Sequence, residues 1–230
     1  MINPIDNYQF VKTKDGSCTL ISSHLDDTYH SINGALNESL HVYINNGINK
    51  IKENQQTINI LEVGFGTGLN ALLTMDYAPN NIINYIAIEP FPLSLEVLKT
   101  YYDGFEILPK SIDNLPKLAN LESNKWYAVT PTFNLCLIQD TLQNIGSEIY
   151  AKLFSEKIDI VFYDAFAPSK QPEMWDIDVL KKAVDVLKPN GFLTTYCAQG
   201  QFKRNLKSLG LRIECTKGPE GKREMTIAFK

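Results

Sequence analysis

The sequence predicts an α/β fold: a mostly parallel, doubly wound sheet preceded by a small β-hairpin and helix. Three observations predict it. From residue 58 onward, short apolar runs alternate with segments of helical spacing, the pattern of repeated strand–helix units. Several of those runs end in an acidic residue, at Glu89, Asp140 and Asp164. The stretch LEVGFGTGLN at 61–70 sets Gly64, Gly66 and Gly68 between a strand pattern and a helix pattern.

The elements follow in order. Tyr8, Phe10 and Val11, then Lys14-Asp15-Gly16-Ser17, then Thr19, Leu20 and Ile21 read as a hairpin with an Asp-Gly turn. A polar segment with Tyr29-His30-Ser31 leads to Gly34 and a helix from Ala35 to Asn45. Ile58, Ile60, Leu61 and Val63 make a buried strand; Leu69, Ala71, Leu72, Leu73 and Met75 then fall at helical spacing. Residues 83–88 form a strand ending in Glu89, and Pro92 opens a helix, as proline suits a first turn. Residues 104–124 read as short helices. Strands at 133–138 and 158–163 end in Gln139-Asp140 and Asp164. A helix around Met174–Leu187, a Pro189-Asn190-Gly191 turn, the strand Phe192–Tyr196, one more helix and two strands complete the chain.

Composition limits the function classes. The chain has 230 residues, 44% apolar and 21% charged, which suits a folded globule of one domain or one domain with an extension. No apolar run approaches the ~20 residues of a membrane span, and the N-terminus has no basic-then-apolar signal. The cysteines (Cys18, Cys136, Cys197, Cys215) form no C-x-x-C pair, so neither a metal site nor a disulfide framework is expected and a reducing cytoplasm is. A net charge of −4 argues against a generic nucleic-acid binder. Residues 201–230 nevertheless hold eight basic side chains against three acidic ones, a local patch for an anionic partner or a solvated basic terminus.

The glycine loop carries the first chemical signal. Glycine permits positive φ and leaves no Cβ, so backbone can approach a ligand, and the following helix offers free N–H groups. A dinucleotide fingerprint reads G-x-G-x-x-G. Here the spacing is G-x-G-x-G preceded by Glu62, which suits S-adenosylmethionine (SAM), a ligand with an amino-acid end and no pyrophosphate. Glu62, Gly64, Gly66, Thr67, Gly68 and Asn70 are its candidate contacts, Asn70 either holding the methionine end or capping the helix. In doubly wound sheets ligands bind outside the carboxyl ends of the strands. Glu89 is therefore the candidate for the ribose hydroxyls and Asp140 for the adenine amine. A helix cap or turn is the plainer fate of each such acid.

The run Tyr163-Asp164-Ala165-Phe166-Ala167-Pro168-Ser169-Lys170-Gln171-Pro172-Glu173-Met174-Trp175 resembles the D-[AG]-F-A-P-x-K-x-P-x-M-W signature of the tRNA methyltransferases that finish 5-methylaminomethyl-2-thiouridine. The glycine loop, Glu89-Pro90-Phe91-Pro92, residues 29–44, and Gly218 with Gly221-Lys222-Arg223-Glu224-Met225 are similar to further family stretches, so the resemblance runs from about residue 15 to 228. It implies a Rossmann-like class I SAM-dependent methyltransferase fold, with residues 1–55 an extension packing on the cofactor site and 56–230 the methyltransferase domain. In many bacteria this unit is fused to a flavin oxidoreductase; a chain ending at Lys230 is expected to be the stand-alone form.

The activity implied is SAM-dependent methylation of the primary amine of the 5-aminomethyl group on the (2-thio)uridine at the tRNA wobble position. Asp164 is the candidate catalytic residue, orienting the amine or also taking its proton, with the carbonyls of Ala165–Ala167 as partners for a second N–H. Tyr29, His30 and Ser31 are candidates to close over SAM. Phe166, Lys170, Lys222 and Arg223 are candidate contacts to the tRNA anticodon loop, while Trp175 reads more readily as packing than as a stacking platform. No metal is expected. Rival readings are a dehydrogenase, disfavoured by the glycine spacing, an aminopropyltransferase on the same fold, and a non-catalytic RNA-binding module.

Overall fold

The computed structural model describes residues 8–22, 26–52, 54–146, 152 and 157–230. Strands β1 (Tyr8–Lys12) and β2 (Cys18–Ser22) pair antiparallel, with Lys12 opposite Cys18. The turn closes through Thr13 N–H on Ser17 O at 2.9 Å, and Asp15 accepts from the Thr13 and Ser17 hydroxyls. The two-residue β3 (Asp27–Thr28) extends this small sheet.

The helix expected over 35–45 is present but changes its winding. Helix α1 (Ala35–Ser39) runs into a π-helical turn over Leu40–Asn45. Its cause is visible at Val42, whose carbonyl accepts from the Thr194 hydroxyl at 3.0 Å, and at His41, whose carbonyl takes the Asn46 N–H five residues on. Such wide turns often mark functional positions.

Among the described residues the main sheet has eight strands, in the order β10-β11-β9-β8-β4-β5-β7-β6. Strands β4 (Thr57–Val63), β5 (Ile82–Ile88), β7 (Phe133–Ile138), β8 (Ile158–Tyr163) and β9 (Leu187–Thr195) run parallel. The antiparallel strands are β6 (Trp126–Thr130) at one edge, and β11 (Glu224–Phe229) and β10 (Arg212–Lys217) at the other. Helices α2 (Leu69–Tyr77), α3 (Leu95–Asp103), α4 (Ile177–Val186) and α5 (Gly200–Ser208) alternate with these strands. After β4 the chain adds β5 and β7 on one side and then crosses to β8 and β9 on the other, which puts the switch point between β4 and β8.

Three details depart from the sequence reading. Helix α3 begins at Leu95 rather than at Pro92, because the Ser94 hydroxyl accepts from Val97 N–H and fixes the start. Strand β6 has no counterpart there: Val129 is its one buried residue, too little apolar signal to register. Strand β9 runs through Pro189-Asn190-Gly191, where the expected turn survives as a register shift with Asn190 at φ 66°.

Apolar side chains fill both faces of the sheet, one with Leu20, Val42, Tyr43, Tyr85 and Phe162, the other with Val161, Tyr163, Trp175 and Phe202. The N-terminal element therefore shares a core with the main sheet. Phe162 is fully buried, with ring centroids 5.1 Å from Tyr43 and 6.2 Å from Tyr85. Phe162→Ala should cost about 3–5 kcal/mol and lower the calorimetric Tm by roughly 10 °C. A drop of only a degree or two would mean that this face is not the core.

Candidate active site

Backbone register assembles the site. Past the ends of the strands the ladder continues: Gly64 N–H donates to Ile88 O at 3.0 Å, Asp164 N–H to Val63 O at 2.8 Å, and Glu89 N–H to Ile138 O at 3.0 Å. Gly64, Glu89 and Asp164 are thus brought side by side at the switch point, where such sheets bind ligands. Gly64 has φ +92°, and a Cβ there would lie 2.4 Å from the Asp164 carbonyl oxygen. Its missing side chain lets the Asp164 backbone close in, whereas Gly66, at φ +49°, faces the Tyr29 ring.

Above these strand ends lies a cavity of about 1000 Å³, lined by residues 27–32, 63–66, 88–91, 141–142 and 164–167 together with Glu38, Gln171, Glu173, Tyr196 and Lys222, among others. Tyr29 and Phe166 meet edge to face across it at 5.2 Å. His30 is neutral, its pKa pushed down to about 4 by burial, and shares a 2.8 Å hydrogen bond with the Thr67 hydroxyl.

Two carboxylates are joined by one amide. Asn70 Nδ2 donates to Glu62 Oε1 at 2.7 Å and to Asp164 Oδ2 at 2.9 Å. Burial drives the Glu62 carboxyl well above its ordinary range. Asp164 opens onto the cavity yet is ringed by protein, and desolvation lifts its pKa to about 7. The Tyr43 hydroxyl, Asn70 and Lys222 oppose that rise, and Glu38 adds to it. The Tyr43 oxygen faces Asp164 but meets no partner at ordinary hydrogen-bond geometry. Glu89 accepts from Gly66 N–H at 2.9 Å and Phe91 N–H at 3.0 Å, and burial raises its pKa.

Of the residues singled out in the sequence, Tyr29, Ser31, Gly64, Gly66, Glu89, Asp164, Phe166 and Lys222 line the cavity. Glu62, Thr67, Gly68 and Asn70 stand behind the loop. Gly68, at φ 74°, caps α2, so Asn70 is a bridge between acids rather than a cap. Asp140 is not brought to the cavity: its Oδ1 accepts from Thr141 N–H and Asn144 Nδ2, a local turn, and Thr141 and Leu142 line the wall instead. Lys170 holds Asp26, at 2.6 Å to its carbonyl and 3.1 Å to its carboxylate.

Lys222 does not project from the surface loop as the basic patch suggested. Its ammonium binds Glu38 at 2.5 Å and sits 3.7 Å over the Tyr196 ring, whereas the neighbouring Arg223 is exposed. The carbonyls of Ala165–Ala167 are each already engaged, by the Tyr196 hydroxyl, by Trp175 Nε1, and by Lys170 and Gln171 N–H. Trp175 itself is buried against Tyr163 and Phe202. Sequence reasoning missed Glu38, Tyr43 and Tyr196. Tyr196 was within reach, since it ends a strand as Asp164 does. Glu38 was not, because ALNES looks like any helical turn.

The donor set fits SAM. The loop at Gly64–Gly66 and a carboxylate at Glu89 face the cavity, and buried Glu62 Oε2 and Asn70 Oδ1 lack partners among the described residues. No group of His, Cys, Asp and Glu able to hold a metal occurs among the described residues.

Comparisons with known proteins agree with this geometry. Residues 118–230 match a family model described as S-adenosyl-L-methionine-dependent methyltransferase. A Leptospira interrogans protein named "tRNA 5-methylaminomethyl-2-thiouridine biosynthesis bifunctional protein MnmC" is 31% identical over 237 residues, covering 94% of this chain and 34% of the relative. A Cupriavidus necator protein of the same name is 29% identical, covering 90% and 32%. The chain thus spans about a third of the length of these curated relatives. The crystal structure of MnmC2 from Aquifex aeolicus superposes with a TM-score of 0.74 at 24% identity, covering 96% of this chain and 69% of that one, and shares the fold. In fold the chain is similar to that structure, and over residues 118–230 it matches the S-adenosyl-L-methionine-dependent methyltransferase family model.

Proposed function

We propose that the protein transfers a methyl group from SAM to the primary amine of the 5-aminomethyl group on the (2-thio)uridine at the tRNA wobble position. The observation that carries this reading is Asp164, a cavity-facing carboxylate beside the glycine loop with a pKa near 7. SAM supplies an electrophilic methyl whose carbon–sulfur bond breaks with its electron pair going to sulfur as the nitrogen–carbon bond forms. Asp164 accepts a hydrogen bond from the incoming ammonium, takes its proton and leaves a lone pair aimed at the methyl. Such positioning removes orientational entropy from the barrier, and a pKa near the working pH suits proton uptake. Glu89 would hold the ribose hydroxyls, while the Tyr29–Phe166 pair shapes the wall between cofactor and base.

The names of the relatives favour tRNA as the substrate over a small polyamine. In this reading residues 1–55 close over the cofactor, 56–230 form the methyltransferase domain, and work on tRNA places the protein in the cytoplasm. No helix among the described residues is long and apolar enough to cross a membrane. The test is nucleoside mass spectrometry of tRNA bearing 5-aminomethyl-2-thiouridine after incubation with protein and SAM. One added methyl on that nucleoside is expected; an unchanged nucleoside would sink the proposal.

Exposed Arg223, next in sequence to the cavity-lining Lys222, remains the candidate phosphate contact. Arg223→Ala should weaken tRNA binding and flatten its log–log salt dependence by roughly 0.7, the value for one lost contact on single-stranded RNA. SAM affinity should stay at the wild-type level. A variant with an unaltered salt slope would remove Arg223 from the interface.

A further inference from the structure

The cavity has more acid in its interior than one amine needs. Glu38, Glu89 and Asp164 all line it, while Glu173 stands in solvent at the mouth and Asp27 turns to its own Thr28 N–H. An alkylammonium entering this space would be drawn to any free interior carboxylate, and only one position is in line for transfer. Two of the three are occupied. Glu89 accepts from the Gly66 and Phe91 N–H groups and, in the function proposed above, is taken by the ribose of the cofactor. Glu38, itself buried, accepts Lys222 on Oε1 and Ser31 N–H at 2.9 Å on Oε2. Asp164 has the amide of Asn70 on Oδ2 and the Tyr43 hydroxyl nearby.

Lys222 is fixed where it acts. It is one-third exposed, bound to Glu38 and stacked on Tyr196, whose hydroxyl donates to Ala165 O at 2.7 Å, next to Asp164. The contact therefore reaches the catalytic loop twice, through charge and through the Tyr196 brace.

We propose that Lys222 and Glu38 are positioning residues for the reacting amine: by neutralising Glu38, Lys222 leaves Asp164 as the one interior carboxylate, among the described residues, free to bind it. This rests on the function proposed above and says which residues make the amine choose Asp164. The groups facing Asp164 are Glu38 from α1, Tyr43 from the π-turn, Glu62 from β4, Asn70 from α2, Tyr196 after β9, and Lys222. Burial holds the Glu62 carboxyl well above its ordinary range. Removing Lys222 thus uncovers a negative Glu38, which attracts the amine to the wrong place and holds the Asp164 proton more tightly.

The test uses Lys222→Met, Lys222→Arg and the double variant Glu38→Gln/Lys222→Met in the full chain. Lys222→Met should lose about tenfold in transfer at pH 7, less than the roughly 10²-fold minimum expected for removing the acid–base group itself. The acid limb of its pH profile should move to higher pH. Lys222→Arg should keep the wild-type profile, and the double variant should recover most of the lost rate, because no uncovered carboxylate remains. Carbon-13 NMR of the Asp164 carboxyl, assigned against Asp164→Asn, should show the same order without SAM or tRNA: higher titration in Lys222→Met, return in the double variant. An Asp164 titration unmoved by Lys222→Met would overturn the proposal. So would a double variant as slow as the single one, with a flattened tRNA salt slope if Lys222 is a phosphate contact and a lowered Tm alone if it only fastens the chain. Because the titration needs no substrate, it stands even where wild-type protein leaves tRNA unmethylated, the separate result that would sink the function.

Discussion

Asp164→Asn should bind SAM as the wild type does and lose roughly 10²–10⁴-fold in methyl transfer, the usual contribution of a general acid–base group. The amide keeps the shape and one acceptor oxygen but has no place for the amine's proton. In the wild type the group must be ionised to act, and its pKa is about 7. The rate should therefore climb with pH up to about 7 and level off above, until another group intervenes. The variant should show no such limb.

Stability should move the other way. A carboxyl raised above its unfolded value binds more protons in the folded state, so its penalty on folding is absent below about pH 4 and grows as pH rises toward 7. An uncharged amide escapes that penalty. Asp164→Asn should thus melt no lower than wild type at neutral pH, which separates lost chemistry from lost fold. A loss of under about tenfold in transfer would leave Asp164 a structural residue and remove the central role assigned to it.

How much of this was legible in the sequence depends on the distance over which each signal acts. Gly64, Glu89 and Asp164 were readable because each ends a strand, and parallel register carries strand ends to one place. Asp140 ends a strand too, yet the loop after it offers Thr141 N–H and Asn144 Nδ2 within four residues, and the nearer donors take its oxygen. The basic C-terminal segment misled about Lys222 for a different reason. A count of charges reports composition, whereas direction is set by Glu38, 184 residues earlier, and by the Tyr196 ring. Asn70 is legible as a residue of the site but not in what it does there. Gly68, in the left-handed region, already caps the helix, which frees the amide to bridge two acids. What escaped is pairing between distant segments, which no local pattern encodes.

Gly66→Val should leave a folded protein that has lost SAM binding by on the order of 100-fold or more, about 2.7 kcal/mol. Two terms combine. Gly66 sits at φ +49°, in the left-handed region, where a residue with a Cβ costs about 1–2 kcal/mol and a β-branched one fits poorly. A Cβ there would also lie 3.1 Å from the Tyr29 ring, closer than ordinary contact, and valine adds two methyls beyond it. Tyr29 cannot retreat freely, since its ring packs on Phe166 at 5.2 Å and against Tyr8 at 6.5 Å. The loop must give instead, and with it the Gly66 N–H that holds Glu89 in place. The damage is confined to the cavity wall, and a strain of this size is a fraction of the ~5–15 kcal/mol that holds a domain together. Calorimetry should show one SAM site in the wild type and none measurable in the variant, with a cooperative melt in both. If the folded variant binds SAM as tightly as the wild type, the cofactor does not lie along this loop, and the placement of Glu89 on its ribose falls with it.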